Sequence, residues 1–231
     1  MDRHLVYWVA HEIAVSEFKA AENWEYESEP VLLARAYDQL RRRGFSWKGY
    51  WVEFDNLVVH GTRCERRFGA DLVFSYSYRS TRRGVSYTKY FVAQAKRCEC
   101  RLGNLMATFC CPNMAFQLSN GNRTNLDDKV RNQLIKMMKT SSSSYLLLIT
   151  DGCGFLYVPA STAVSLPWSL SCKRLGGYAV SSVFFYTLFL SCFTGEVLWG
   201  VFMPDARSVV DRLMDRVSAR QYFHVSVSEE G

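Results

Sequence analysis

Two short apolar runs flanking a basic, turn-forming stretch set the terms for this chain. Gly69–Phe74 and Tyr90–Arg97 have the composition of β-strands. Between them, Ser75–Lys89 carries Arg79, Arg82, Arg83 and Gly84, so the two runs are expected to form a hairpin across a polar turn region. Each run has polar groups at its edge: Asp71 at the mouth of the first, Gln94 and Lys96 at the end of the second. Buried strands seldom hold such groups unless they pair or bind something.

Side chains two apart on a strand share a face, so Val92, Gln94 and Lys96 point one way and Ala93 and Ala95 the other. If the runs pair antiparallel, Asp71 comes within reach of Gln94 and Lys96. A carboxylate, an amide oxygen and the Ala95 backbone carbonyl are hard oxygen donors of the kind that suit Mg2+ or Mn2+. Lys96 could orient or deprotonate a water and offset negative charge developing on phosphorus. Metal ligands are therefore expected at Asp71, Gln94 and Ala95, and the set reads as equipment for phosphodiester hydrolysis.

The rest of the chain describes a folded α/β protein. Its 231 residues are 48% hydrophobic and 22% charged, enough to bury a sizeable core. A net charge of +6 permits a polyanionic partner without requiring one. The N-terminus lacks a signal-peptide pattern, so the eight cysteines are read as reduced thiols and the location as cytoplasmic. Cys98-x-Cys100 and Cys110-Cys111 do not fit a zinc framework. The four histidines are scattered, and none is expected to act as a general base.

Helices are expected over residues 5–20, from Pro30 to Leu40, over Asp127–Lys139 and over Pro204–Arg220. Arg41–Arg43 suit the negative end of the second helix. Strands are expected over 50–59, Tyr145–Thr150 and Phe155–Val158, the last two joined by a turn at Asp151–Gly154. Residues 176–195 contain no charge and are long enough to span a bilayer. Their serines and threonines favour a buried helix over 178–192, and no membrane association is expected. The tail from Ser226 is acidic and expected to be loose.

Asp71 followed by Gln94-x-Lys96 resembles the active-site core of the PD-(D/E)XK, or restriction-endonuclease-like, nuclease superfamily. Glutamine at the second position is similar to the Mrr-type enzymes, whose core reads Gly-x-Asp and then hydrophobic-Gln-x-Lys. The stretch Cys64–Asp71 is also similar to bacterial members that place a Glu before Gly-Ala-Asp. In such members a helix and a buried strand follow, as Gln133–Met138 and Tyr145–Ile149 do here. The resemblance covers roughly residues 25–160. It implies a nuclease-like core over 1–160 with a mixed central sheet flanked by helices; residues 161–231 fall outside the resemblance and are expected to form a helical extension packed on the same domain.

The resemblance also implies an endonuclease acting on DNA with Mg2+ or Mn2+, in bacterial restriction or anti-phage defence, with a homo-oligomer or a defence-system protein as a further partner. The superfamily adds an acid from the helix before the first core strand. Glu29 is the candidate, with Glu27 and Asp38 as rivals, and Glu65 is a further acid able to reach the metal. Asp71, Gln94, Lys96, Glu29 and Glu65 then form the catalytic set. Arg79, Arg82, Arg83 and Lys89 are either a phosphate-contacting hairpin or a solvated loop. Gln94 is neutral where the commoner pattern has an acid. That motivates a second reading, a nuclease-like domain that binds nucleic acid or a partner protein without cutting.

Overall fold

The computed structural model describes residues 3–41, 43–58, 70–98, 128–141, 143–150, 154–165, 179–180, 184–189 and 221–229. The chain opens with two helices, α1 (Arg3–Ala21) and α2 (Glu29–Asp38). Pro30 lies in the first turn of α2, where its missing N–H is harmless, and Glu29 sits at the positive end of the helix dipole. Strands β1 (Phe45–Trp47) and β2 (Tyr50–Val58) follow. Lys48 and Gly49, both at positive φ, join them in a tight two-residue hairpin.

Next come β3 (Leu72–Ser80) and β4 (Val85–Cys98), paired antiparallel as expected. The strands run further than the sequence pattern implies. Tyr76 and Tyr78 are buried while Ser77 and Arg79 are more exposed, so the period-two alternation persists to Ser80, and Gly84 closes the turn at positive φ. Helix α3 (Asp128–Thr140) crosses over to β5 (Ser144–Thr150), which lies parallel to β4. Then come β6 (Gly154–Pro159), α4 (Ala160–Ser165), β7 (Ala179–Val180), a helical segment at 184–189 and β8 (Gln221–Glu229).

The eight strands of the described residues form one sheet in the order β1-β2-β8-β3-β4-β5-β6-β7. The pairs β3–β8 and β4–β5 are parallel and the others antiparallel, which makes a mixed, open α/β sheet flanked by helices. One face packs against α1, α2 and the 184–189 segment. Phe74 lies at its centre, with ring centroids 4.8 Å from Phe91, 5.0 Å from Phe185 and 5.4 Å from Phe223. Helices α3 and α4 pack on the β4–β6 part of the sheet.

Two expectations are corrected. Residues 178–192 do not form one helix: 179–180 pair with β6 as a strand, and among the described residues of this range 184–189 are helical, with Phe184, Phe185, Leu188 and Phe189 buried in the core. The C-terminal end is neither a loose tail nor part of a helical extension. β8 inserts between β2 and β3, near the middle of the sheet. Phe223, Val225 and Val227 are buried and alternate with half-buried His224, Ser226 and Ser228, the signature of a strand with one core face. Its last residue, Glu229, accepts hydrogen bonds from Tyr78 at 3.2 Å and from Ser80. The helix expected over Pro204–Arg220 lies outside the described residues, as does the turn at 151–153.

β8 also carries a half-buried base. His224 bridges two hydroxyls of β3, Ser75 at Nδ1 and Ser77 at Nε2, the latter 3.1 Å away. Burial holds its pKa below the usual 6.5, against a smaller opposing pull from Asp55. The unfolded chain then binds the proton more readily, so stability is fully present above the usual imidazole pKa and is lost as pH falls from there toward the depressed folded value. Urea unfolding followed from neutral to mildly acid pH is expected to show this loss, and His224→Gln to flatten it.

Candidate active site

β4 outruns its neighbour. β3 begins at Leu72, paired with Ala93, while β4 continues to Cys98. Asp71 sits at that step. Its N–H donates to the Ala93 carbonyl at 2.9 Å, and its carbonyl accepts from the Gln221 N–H at 3.1 Å, so its backbone is held from both sides. Beyond it, the β4 N–H groups of Ala95 and Arg97 have no β3 strand to pair with. Two carboxylates take the strand's place. The Ala95 N–H donates to Asp71 Oδ2 at 3.0 Å, and the Arg97 N–H to Glu29 Oε1 at 3.4 Å. Residues two apart on a strand are about 6.7 Å apart, so the two acids flank the Ala95 carbonyl.

Gln94 points to the same side as Asp71. Its amide nitrogen donates to Asp71 Oδ2 and, at 3.4 Å, to the Ala95 carbonyl. Both residues are deeply buried, with Asp71 3% exposed and Gln94 fully enclosed. An enclosed carboxylate is tolerable only with such donors. The Gln94 amide oxygen is buried and has no hydrogen-bond partner among the described residues. Lys96, half-buried, shares the face of Gln94 by the two-residue period.

The rivals for the helix acid are committed elsewhere. Glu27 is paired with Arg35, whose Nε donates to it at 3.0 Å, and Asp38 accepts from the Asn56 amide at 2.7 Å. Glu29 is the acid that reaches β4. A residue without an assigned role in the sequence pattern holds it there. Arg97 donates to the carbonyls of Glu27 at 3.1 Å and Trp24 at 3.4 Å, and its guanidinium lies 5.7 Å from the Trp24 ring centre. The Trp24 indole in turn donates to the Ile149 carbonyl of β5 at 2.8 Å. The signal in the sequence, an arginine directly after Lys96, reads equally well as a solvated strand end.

The arginine cluster does not join this site. Arg79, Arg82 and Arg83 are exposed near the tip of the β3–β4 hairpin, and Arg83 lies 4.0 Å from Glu229. Arg79 is eight residues from Asp71 along the strand, about 26 Å at the usual rise. Lys89 is half-buried opposite Tyr76, between the two ends. Glu65 lies outside the described residues.

The donors brought together are two carboxylates, one amide and one backbone carbonyl, a hard oxygen set that suits Mg2+ or Mn2+ better than zinc. Among the described residues there is no group of three or more His, Cys, Asp or Glu arranged for a metal. The amide supplies the test of fit. It now aims its nitrogen at Asp71, and turning it over would set its oxygen against a carboxylate oxygen, an arrangement that needs a cation or a proton between them. No helix among the described residues is long and apolar enough to cross a membrane. No family model, no curated protein and no solved structure matches the chain.

Gln94→Glu sets a second carboxylate against Asp71 where an amide donor now stands. It is expected to lower stability at neutral pH by about 2 kcal/mol. Part of the loss should return in mild acid, where one of the two carboxyls takes up a proton. Urea unfolding at the two pH values measures both effects.

Proposed function

We propose that the chain is a divalent-metal-dependent endonuclease that hydrolyses DNA phosphodiester bonds, built on a restriction-endonuclease-like core. One observation carries this reading: the carboxylates of Asp71 and Glu29 take successive N–H groups on the overhanging edge of β4, on either side of the Ala95 carbonyl. The topology around it supports the reading. The Asp71 strand lies antiparallel to the Gln94-x-Lys96 strand, a helix crosses over to a parallel strand, and an acid arrives from the preceding helix.

In this reading Asp71, Glu29, the Ala95 carbonyl and the Gln94 amide oxygen hold the cation. A bound Mg2+ or Mn2+ supplies polarisation of a phosphoryl oxygen and a more acidic water. Lys96 orients the attacking water and places its ammonium where negative charge builds on phosphorus. Asp71 is pinned by its own backbone, and Glu29 is tethered through Arg97 and Trp24, so the acids are positioned before substrate arrives.

A second reading, binding without cutting, is favoured by the contact between the Gln94 amide and Asp71 Oδ2, which already occupies an oxygen that a cation would need. Supercoiled plasmid DNA incubated with Mg2+ or Mn2+ separates the two. Under the first reading the chain nicks or linearises it, chelator stops the reaction, and Asp71→Ala and Lys96→Ala each slow it by about a hundredfold or more. Retention of DNA by the native chain with no cutting in either metal overturns the first reading in favour of the second.

A further inference from the structure

Helix α1 buries one face, and its other side carries rings that the described residues leave partly exposed. Leu5, Val6, Val9, Ile13, Ala20 and Ala21 are buried against the sheet and α2. At about 3.6 residues per turn, Tyr7, His11, Ala14 and Phe18 fall in a stripe on the opposite side. Tyr7 is 54% exposed and Phe18 49%, and Trp8 beside them is 40% exposed. Scattered apolar residues on a surface are ordinary, but a line of rings along one helix marks a contact surface. The stripe is also ordered: the Tyr7 and His11 rings stack at 5.8 Å with an angle of 8°.

The charges at its two ends identify the occupant. Exposed Arg3 begins the helix, and exposed Glu22 follows directly after its end. Laid against a second copy running the opposite way, the stripe is complementary to itself. Tyr7 meets Phe18 of the second copy, His11 lies near the two-fold axis, and Arg3 faces Glu22 of the second copy. A parallel arrangement would set like charges together at each end. Antiparallel helix dipoles add to the preference.

We propose that the protein forms a two-fold symmetric dimer through antiparallel pairing of α1. Such an isologous contact repeats every interaction twice. The inference is independent of the proposed catalytic activity, because Tyr7, Phe18, Arg3 and Glu22 have no place in the candidate site.

Sedimentation equilibrium of the full chain tests it. The expected mass rises with concentration from 26.6 kDa toward twice that value. Phe18→Asp should give the monomer with an unchanged circular dichroism spectrum. The Phe18 backbone and ring edge both lie against Gly154, so Phe18→Asp also disturbs a contact within the fold, and a charge reversal that leaves this contact alone serves as the second arm. Arg3→Glu is expected to weaken the dimer about tenfold, since symmetry doubles the repulsion, and Arg3→Glu with Glu22→Arg to restore it. A monomer at the highest soluble concentration, a dimer indifferent to Phe18→Asp, or a double reversal that fails to restore pairing overturns the proposal.

Discussion

Backbone N–H groups left over where one strand outlasts its neighbour must find acceptors, and in this protein carboxylates supply them. An unpaired N–H in the interior costs about as much as a lost hydrogen bond. At Ala95 and Arg97 that demand is met by Asp71 and Glu29. The same two contacts that complete the ladder of β4 therefore bring two acids to one carbonyl. Structure and candidate chemistry here share their atoms. Any residue replacing Asp71 must answer to the fold as well as to a ligand.

A second buried carboxylate keeps the helix layer in place above that edge. Glu17 of α1 accepts hydrogen bonds from Tyr37 of α2 at 2.7 Å and from Tyr157 of β6 at 2.6 Å, and the two phenols lie 3.3 Å apart. Burial, and after it the Glu17 charge, pushes both tyrosines well above their usual pKa, so they remain donors. Tyr37 also stacks on Phe223 of β8 at 4.3 Å. α1, α2 and two strands are thus joined at one point. The end of α1 leads through Trp24, bonded to β5, into the turn that delivers Glu29. Removing one phenol would leave an enclosed charge short of a donor, which costs more than the net worth of the bond.

The partly exposed aromatic side of α1 fits the same logic. A helix apolar on one side and polar on the other is the norm at a surface. Rings along a second side offer a surface for a second partner. Here the sheet is one and, by the proposal above, a second copy is the other.

Much of this could be read along the chain. Two apolar runs and the turn formers between them were enough to pair β3 with β4, and a three-and-four spacing was enough for α2. Asp71 and Gln94 were legible as partners because an acid and an amide in apolar strands have few other means of being satisfied. The place of β8 was not legible. Its alternation of Phe223, Val225 and Val227 with polar residues was present, but nothing local says that the last strand of the chain will lie between the second and third. Glu29 was the candidate acid from its place in the chain, but what commits its rivals Glu27 and Asp38 elsewhere was hidden, because their partners Arg35 and Asn56 reach them only in the fold. So too the distance between the arginine cluster and Asp71, which reflects how far β3 and β4 run before they turn. Local pattern settles which residues form a strand or a helix and which side faces inward, since neighbours a few positions apart decide that. Order in the sheet, the outcome of competition among acids and the reach of Arg97 are set by residues far apart in the chain, and they exist only once the layers have packed.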